Sequence, residues 1–274
     1  MNIQEWIPIN GTHRLVIKRK LNNADHERCV VLLAGFAQSM CDKNYLMYRL
    51  GSDILTMGFE IIHYDPIAHG ESCYCLEDIN LNIYKSDLQS FLSCVSESYG
   101  SKPIVIARGF AASVVASMPN AYDTLIGICP FYINNPTKKH MRKTVEDINS
   151  NIIEFADLNH SDLIFMDFIN ALGSHYNNLS GQLISTKLFL EMIDFNTSQI
   201  LDKNYICIAP DVDDDFQAIN FISYKKEIDK NNLSLKLKND IKVLERLIDK
   251  TSIVLSKIEM SKSQASRLSE KMAR

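Results

Sequence analysis

Apolar residues along this chain fall into short continuous runs separated by stretches of helical period, and each kind of stretch predicts an element. Trp6, Ile7 and Ile9 on one side of Asn10-Gly11, with Leu15, Val16 and Ile17 on the other, predict a β-hairpin, because Asn-Gly tolerates the positive φ angles of a tight two-residue turn. Cys29-Val30-Val31-Leu32-Leu33-Ala34 is an unbroken apolar run of strand length, the pattern of a strand buried on both faces of a parallel sheet. Tyr45, Leu46, Tyr48, Leu50, Ile54 and Leu55 recur at helical spacing and stop at Met57-Gly58, a C-terminal helix signal. Residues 59–65 predict the next strand and residues 81–99 the next helix, with Leu88, Phe91, Leu92 and Val95 on one face. Residues 104–107 and 125–130 read as two further strands, with a helical pattern between them. Alternating strands and helices imply a mostly parallel sheet with right-handed crossovers and flanking helices, an α/β fold.

From Phe131 to about Asp202 the strand rhythm gives way to helical patterns, which predict a helical cap. Tyr205-Ile206-Cys207-Ile208-Ala209 returns to strand pattern and leads into the acidic turn Asp211-Val212-Asp213-Asp214-Asp215. No Gly follows Gly181 and no Pro follows Pro210, so the tail is free to form one long helix. The expected organisation is a first half of the core at 1–130, a cap insertion at 131–202, a second core segment with the acidic loop at 203–231, and an amphipathic helix at 232–274.

Candidate chemistry centres on Ile104-Val105-Ile106-Ala107-Arg108-Gly109-Phe110-Ala111-Ala112-Ser113. A β-branched run that turns through small residues into a helix is the outline of a nucleophile elbow, whose tight strand-to-helix turn lifts a hydroxyl to the top of a sheet. Ala107, Ala111 and Ala112 keep the small positions, but Gly109 stands where the serine belongs. Together with Leu33-Ala34-Gly35-Phe36-Ala37 and Tyr64-Asp65-Pro66-Ile67-Ala68-His69-Gly70-Glu71-Ser72, this elbow resembles the first half of an α/β-hydrolase of the lysophospholipase and serine-aminopeptidase type. The segment Gly35-Phe36-Ala37-Gln38-Ser39-Met40 also resembles the hydrolase-like proteins encoded alongside exosortase systems. The resemblance implies that the backbone N–H groups of Phe36 or Ala37 and of Phe110 stand where an oxyanion hole would be, and that Asp213 or Asp214 stands at the triad acid. It also implies a final strand and a histidine after that acid, yet the last histidine is His175. The helical extension is therefore expected to replace the final strand-and-histidine segment, and two of the three triad groups are missing. Losing Ser or His removes nearly all of a triad's contribution, because the pair acts as a unit.

Ser39, Ser113 and Cys129 are the candidate displaced nucleophiles, Ser39 being the best placed, with His69 as the candidate base. His69 reads more readily as a structural hydrogen-bonder than as a base, and Asp213 more readily as a solvated loop carboxylate than as a triad acid. Phe36, Ala37, Arg108 and Phe110 are the candidate ligand-binding residues, Arg108 as an anion contact or a salt-bridge partner. No metal site is expected: Cys73-Tyr74-Cys75 lacks the spacing of a zinc half-site and has no second half. No cofactor is expected either.

With 274 residues and 46% hydrophobic content the chain can fill one large domain core. A net charge of −4 argues against nucleic-acid binding, which needs a basic face. The absence of a basic-then-apolar leader or of a bilayer-length apolar run leads us to expect a soluble, cytoplasmic protein. Seven scattered cysteines fit a reducing compartment better than a disulfide framework. Charge is uneven: residues 232–274 carry ten Lys/Arg and five Asp/Glu, so +5 against −9 for the remainder. In the tail Leu237, Ile241, Leu244, Ile248, Thr251, Leu255 and Ile258 step by fours and threes. That seam, continued weakly to Met272, either packs on its own domain or joins a second copy or protein partner through residues 237–272.

Three functions are compatible with these residues. The first is a degenerate, non-catalytic hydrolase that binds a small acyl or ester-like ligand or a protein partner. The second is an esterase, thioesterase or acyltransferase using Ser39 or a cysteine, and the third an assembly protein working through the tail.

Overall fold

The computed structural model describes residues 1–21, 28–42, 45–128, 130, 152–154, 183–195, 199–200, 204–210, 217–218, 220–224, 248–249 and 251–258. Strands β1 (Asn2–Ile9) and β2 (Thr12–Arg19) form the expected hairpin, and the turn residues Asn10 and Gly11 have φ of 49° and 80°. Both central residues at positive φ make a turn whose twist matches that of the strands. Next come β3 (Cys29–Leu33), helix α1 (Leu46–Thr56), β4 (Glu60–Tyr64) and α2 (Leu81–Tyr99). The elbow follows as β5 (Ile104–Arg108) and α3 (Gly109–Ala116), then β6 (Thr124–Ile128). β3, β4 and β6 are buried throughout, β3 as an unbroken apolar run and β4 and β6 with Glu60, His63 and Thr124 among their buried residues, as strands covered on both faces.

Further along lie β7 (Ile152–Glu154), β8 (Leu183–Ser185), α4 (Thr186–Asp194), β9 (Gln199–Ile200), β10 (Tyr205–Pro210), β11 (Gln217–Ala218) and β12 (Asn220–Tyr224). Eight strands make one sheet in the order β1-β2-β4-β3-β5-β6-β10-β12. β1 and β2 are antiparallel to their neighbours, and β4 through β12 run parallel.

Two expectations need correction. The 131–202 segment is not wholly helical: β7 and β8 pair antiparallel within it, because Ile152-Ile153 and Leu183-Ile184 are apolar pairs too short to show a period. The final strand is not replaced by the tail. β12 closes the sheet beside β10, and its sequence Asn-Phe-Ile-Ser-Tyr gave little signal because a five-residue edge strand needs only one apolar side.

Two hydrophobic layers sandwich the sheet. On one face α2, α3 and α4 pack Leu88, Phe91, Val114, Leu188 and Met192 against Val31, Val105 and Leu125. On the other face α1 contributes Leu46, Leu50 and Ile54 against Val30, Leu32, Ile104 and Ile126. Into this second layer comes α5, residues 251–258 of the tail. Ile248, Val254 and Leu255 are buried in that layer, Ile258 packs at its margin and Thr251 is buried, so the described part of the seam lies against the chain's own core. Residues 237–247 and 259–272 of the seam lie outside the described residues. No helix among the described residues is long and apolar enough to cross a membrane.

Candidate functional site

The elbow has the backbone its sequence predicts. β5 ends at Arg108, Gly109 opens α3 at φ 57°, and Phe110, Ala111 and Ala112 are fully buried beneath it. A positive φ at this position is the conformation that strains a serine and costs a glycine almost nothing. The turn therefore keeps its shape while offering no nucleophile.

Beside the elbow lies the loop that follows β3. Ala37 takes a positive φ of 61°, and its N–H donates to Nε2 of His69 at 2.9 Å. Nδ1 of the same ring donates to the carbonyl of Ile67 at 2.8 Å. Because a carbonyl only accepts and an amide N–H only donates, these two bonds define the tautomer: His69 is neutral, with its proton on Nδ1. Complete burial reinforces this state by pushing its pKa down to about 4. The Ala37 N–H, one of the two amides of this loop expected at an oxyanion hole, is thus already bonded to a side chain of the chain itself.

Aromatic rings close the space around that bond. Phe36 stands edge-on to His69 at 5.0 Å, to Tyr84 at 5.4 Å and to Phe110 at 5.7 Å, and Phe195, just beyond α4, meets Phe110 at 5.4 Å. These are the edge-to-face separations that aromatic quadrupoles favour. Phe36 and Phe110 have no exposed surface, and Tyr84 is buried with its hydroxyl unpartnered among the described residues.

The Asp-x-x-x-His-Gly-x-Ser segment after β4 proves to be a structural knot. One carboxylate oxygen of Asp65 accepts the Met40 N–H at 2.6 Å and the other the Glu71 N–H at 3.3 Å, tying the loop after β3 to the loop after β4. Ser72 Oγ donates to the Asp65 carbonyl at 2.7 Å. Gly70, at φ 50°, lies so close that a Cβ there would sit 2.1 Å from an Asp65 carboxylate oxygen. Burial raises Asp65 to a pKa of about 6.

Arg108 and Asp42 form an ion pair in which the carboxylate has no exposed surface and the guanidinium little. The other Asp42 oxygen accepts the Gly35 N–H at 3.2 Å, so the pair clamps the loop after β3 to the elbow.

Similarity searches bear on this geometry through structure alone. No family model matches the sequence, and no curated protein matches it. Solved structures do match. The α/β-hydrolase GrgF from Penicillium sp. sh18 is 12% identical with a TM-score of 0.58, over 90% of this chain and 98% of that one. Est1E from Butyrivibrio proteoclasticus, solved with ferulic acid, is 11% identical with a TM-score of 0.57, over 90% and 99%. Epoxide hydrolase A from Mycobacterium thermoresistibile is 13% identical with a TM-score of 0.52, over 91% and 98%. This chain has the α/β-hydrolase fold.

Within that fold the candidate residues separate into three groups. Phe36, Ala37, His69, Arg108, Gly109 and Phe110 come together around the elbow. Ser39 is exposed on the neighbouring loop, and both ring nitrogens of its candidate base are already bonded within the fold. Ser113 is buried inside α3. Cys129, Asp213 and Asp214 lie outside the described residues. Among the described residues no three His, Cys, Asp or Glu side chains are placed to hold a metal ion, and Cys29, Cys41, Cys73, Cys75 and Cys94 are free thiols.

One polar centre had no place in the sequence reading. Arg14 of β2 is fully buried, with Nε at 3.0 Å and Nη2 at 2.8 Å from one Asp87 carboxylate oxygen. The other oxygen accepts from the Tyr64 hydroxyl and from the Ile67 N–H at 2.9 Å. The signal was present: Asp87 falls between Tyr84, Leu88 and Phe91 on the apolar stripe of a helix, where a carboxylate requires a buried partner.

Proposed function

We propose that this protein is a non-catalytic member of the α/β-hydrolase fold that acts by binding rather than by acyl transfer. The observation that carries the reading is the Ala37 N–H bonded to neutral His69 beside a glycine at the nucleophile position. Acyl transfer needs an attacking group, a base that holds and returns its proton, and free donors where negative charge develops. Gly109 supplies no attacking atom. His69 has no vacant nitrogen, and a pKa of about 4 makes it a poor acceptor at neutral pH. The packed rings of Phe36, Tyr84 and Phe110 weigh against an acyl chain lying directly over the elbow, so binding is assigned to surfaces away from it.

The test compares wild type and Gly109→Ser on a panel of short acyl esters, with intact mass after fluorophosphonate and iodoacetamide treatment. Neither protein is expected to turn over, because restoring a hydroxyl restores neither the base nor the oxyanion hole. Wild-type hydrolysis together with stoichiometric labelling of one residue would overturn the reading in favour of a displaced nucleophile.

A further inference from the structure

A cavity of about 520 Å³ lies away from the elbow, between the β1–β2 hairpin, the 66–80 loop and the first turns of α2. Its size falls within the range of small-molecule sites, roughly 300–1,000 Å³. Three separate segments build it, and the Arg14–Asp87 network joins all three: Arg14 from the hairpin, Ile67 from the loop and Asp87 from the helix. Asn10 adds a second tie, its side-chain Oδ1 accepting from Ser90 Oγ at 3.0 Å. A buried ion pair is a costly way to gain stability, but it holds walls from distant parts of the chain in one arrangement. The cavity is therefore preformed.

Its chemistry selects against several ligand classes. Arg14 offers little to an anion, because it is fully buried and already committed: Nε and Nη2 bond Asp87, and Nη1 bonds the Thr12 hydroxyl at 2.6 Å, the His13 carbonyl at 3.0 Å and Cys73 Sγ at 3.3 Å. Arg14 and Asp87 cancel in charge, which leaves the lining carboxylate Asp78 to repel anions. Asn10 is engaged with Ser86 and Ser90, and Asn80 Oδ1 caps α2 by accepting the Ile83 N–H at 3.0 Å, but a purely apolar ligand would still desolvate the Asn80 NH2 group, the Asn82 amide and the Ser86 hydroxyl without replacing their bonds to water. Amides and hydroxyls both donate and accept, as the hydroxyls of a sugar do. The rim also carries Tyr74, exposed and held at a φ of 73° that a bulky residue rarely adopts, and the exposed Ile83. Tyr74 with the lining Ile67, Ile79 and Ile83 offers surface for C–H groups, and the amides and hydroxyl of the same lining offer partners for hydroxyls.

We propose that this cavity binds a neutral polyhydroxylated ligand, a mono- or disaccharide, with Tyr74 as the stacking surface and Asn80, Asn82 and Ser86 as hydrogen-bonding partners. The site is separate from the elbow, so it stands whether or not the elbow is catalytic.

The full-length protein would be titrated by calorimetry and saturation-transfer NMR with glucose, galactose, mannose, maltose and cellobiose, alongside gluconate, butyrate and adenosine. Saturable binding of at least one neutral sugar is expected, stronger than that of all three other compounds. Tyr74→Ala and Asn82→Ala change exposed side chains and should leave the melting temperature unaltered, while each weakens that binding about ten-fold or more. The proposal is overturned if no sugar in the panel binds, if gluconate, butyrate or adenosine binds better, or if both variants bind as wild type does. Because the readout is binding and the elbow test reads turnover and labelling, one can fail without the other.

Discussion

Replacing Asp87 by alanine would strand four donors at once: Nε and Nη2 of Arg14, the Tyr64 hydroxyl and the Ile67 N–H. Arg14 is fully buried and cannot turn to solvent, so the variant must hold an unpaired guanidinium in the core, unfold locally or admit water. Breaking one side of a buried pair costs about 3–5 kcal/mol, and each buried donor left without a partner adds about 1–3. The extra terms are softened by water entering the open cavity beside the network, so we expect a loss of about 4 kcal/mol. That is a large part of a typical domain stability of about 5–15 kcal/mol. Urea unfolding followed by circular dichroism measures it, and the melting temperature should fall by about 10 °C. The decisive comparison is the double variant Arg14→Met with Asp87→Leu, which removes both charges and fills the space. It should recover at least half of the loss, because the penalty in the single variant comes from an uncompensated charge rather than from a missing attraction. The reasoning is refuted if Asp87→Ala costs less than about 1 kcal/mol, or if the double variant is as unstable as the single one.

Acid should destabilise the fold through its buried imidazoles. His63 and His69 are both held near a pKa of 4 by burial, below the unfolded value of about 6.5, so the unfolded chain takes up their protons first. Their contribution is complete above pH 6.5 and lost as the pH falls towards 4, about 2 kcal/mol each between pH 7 and 5. Asp65 acts in the opposite sense: its folded pKa of about 6 lies above the unfolded value, so its contribution is complete at low pH and fades as the pH rises through 6. It returns about 1 kcal/mol over the same interval, leaving a net loss of about 3; chemical denaturation at the two pH values that shows equal or greater stability at pH 5 would contradict this. Gly70→Ala should cost about 3 kcal/mol, since the new Cβ meets the Asp65 carboxylate at 2.1 Å and the backbone is left-handed. Gly58→Ala, at φ 90° with open space around the site, isolates the backbone cost at about 1–2 kcal/mol, and equal losses in the two variants would refute the carboxylate clash.

The sequence alone determined the architecture through residue 128, because local rules suffice there. Asn10-Gly11 sets the hairpin, short runs rich in Ile, Val and Leu mark β3 to β6, and periodic apolar positions mark α1 and α2. It also put Gly109 at the turn between β5 and α3. β7, β8 and β12 escaped because a strand of three to five residues carries too few apolar positions to declare a period, and pairing across the chain decides it. Which way the tail seam faces was likewise open in sequence: a stripe of Ile248, Thr251 and Leu255 suits a partner as well as its own sheet, and only the packing against α1 and the sheet chose. The state of the elbow was decided furthest from local sequence. His69 and Ala37 lie 32 residues apart, and Arg14 and Asp87 lie 73 apart. The first contact exists only because parallel pairing of β3 with β4 and of β3 with β5 brings the loops after those strands to one end of the sheet, and the second because β2 pairs with β4 while α2 packs on the sheet. A histidine in sequence is a base, a ligand or a strut, and what each of its two nitrogens meets in the folded chain makes this one a strut.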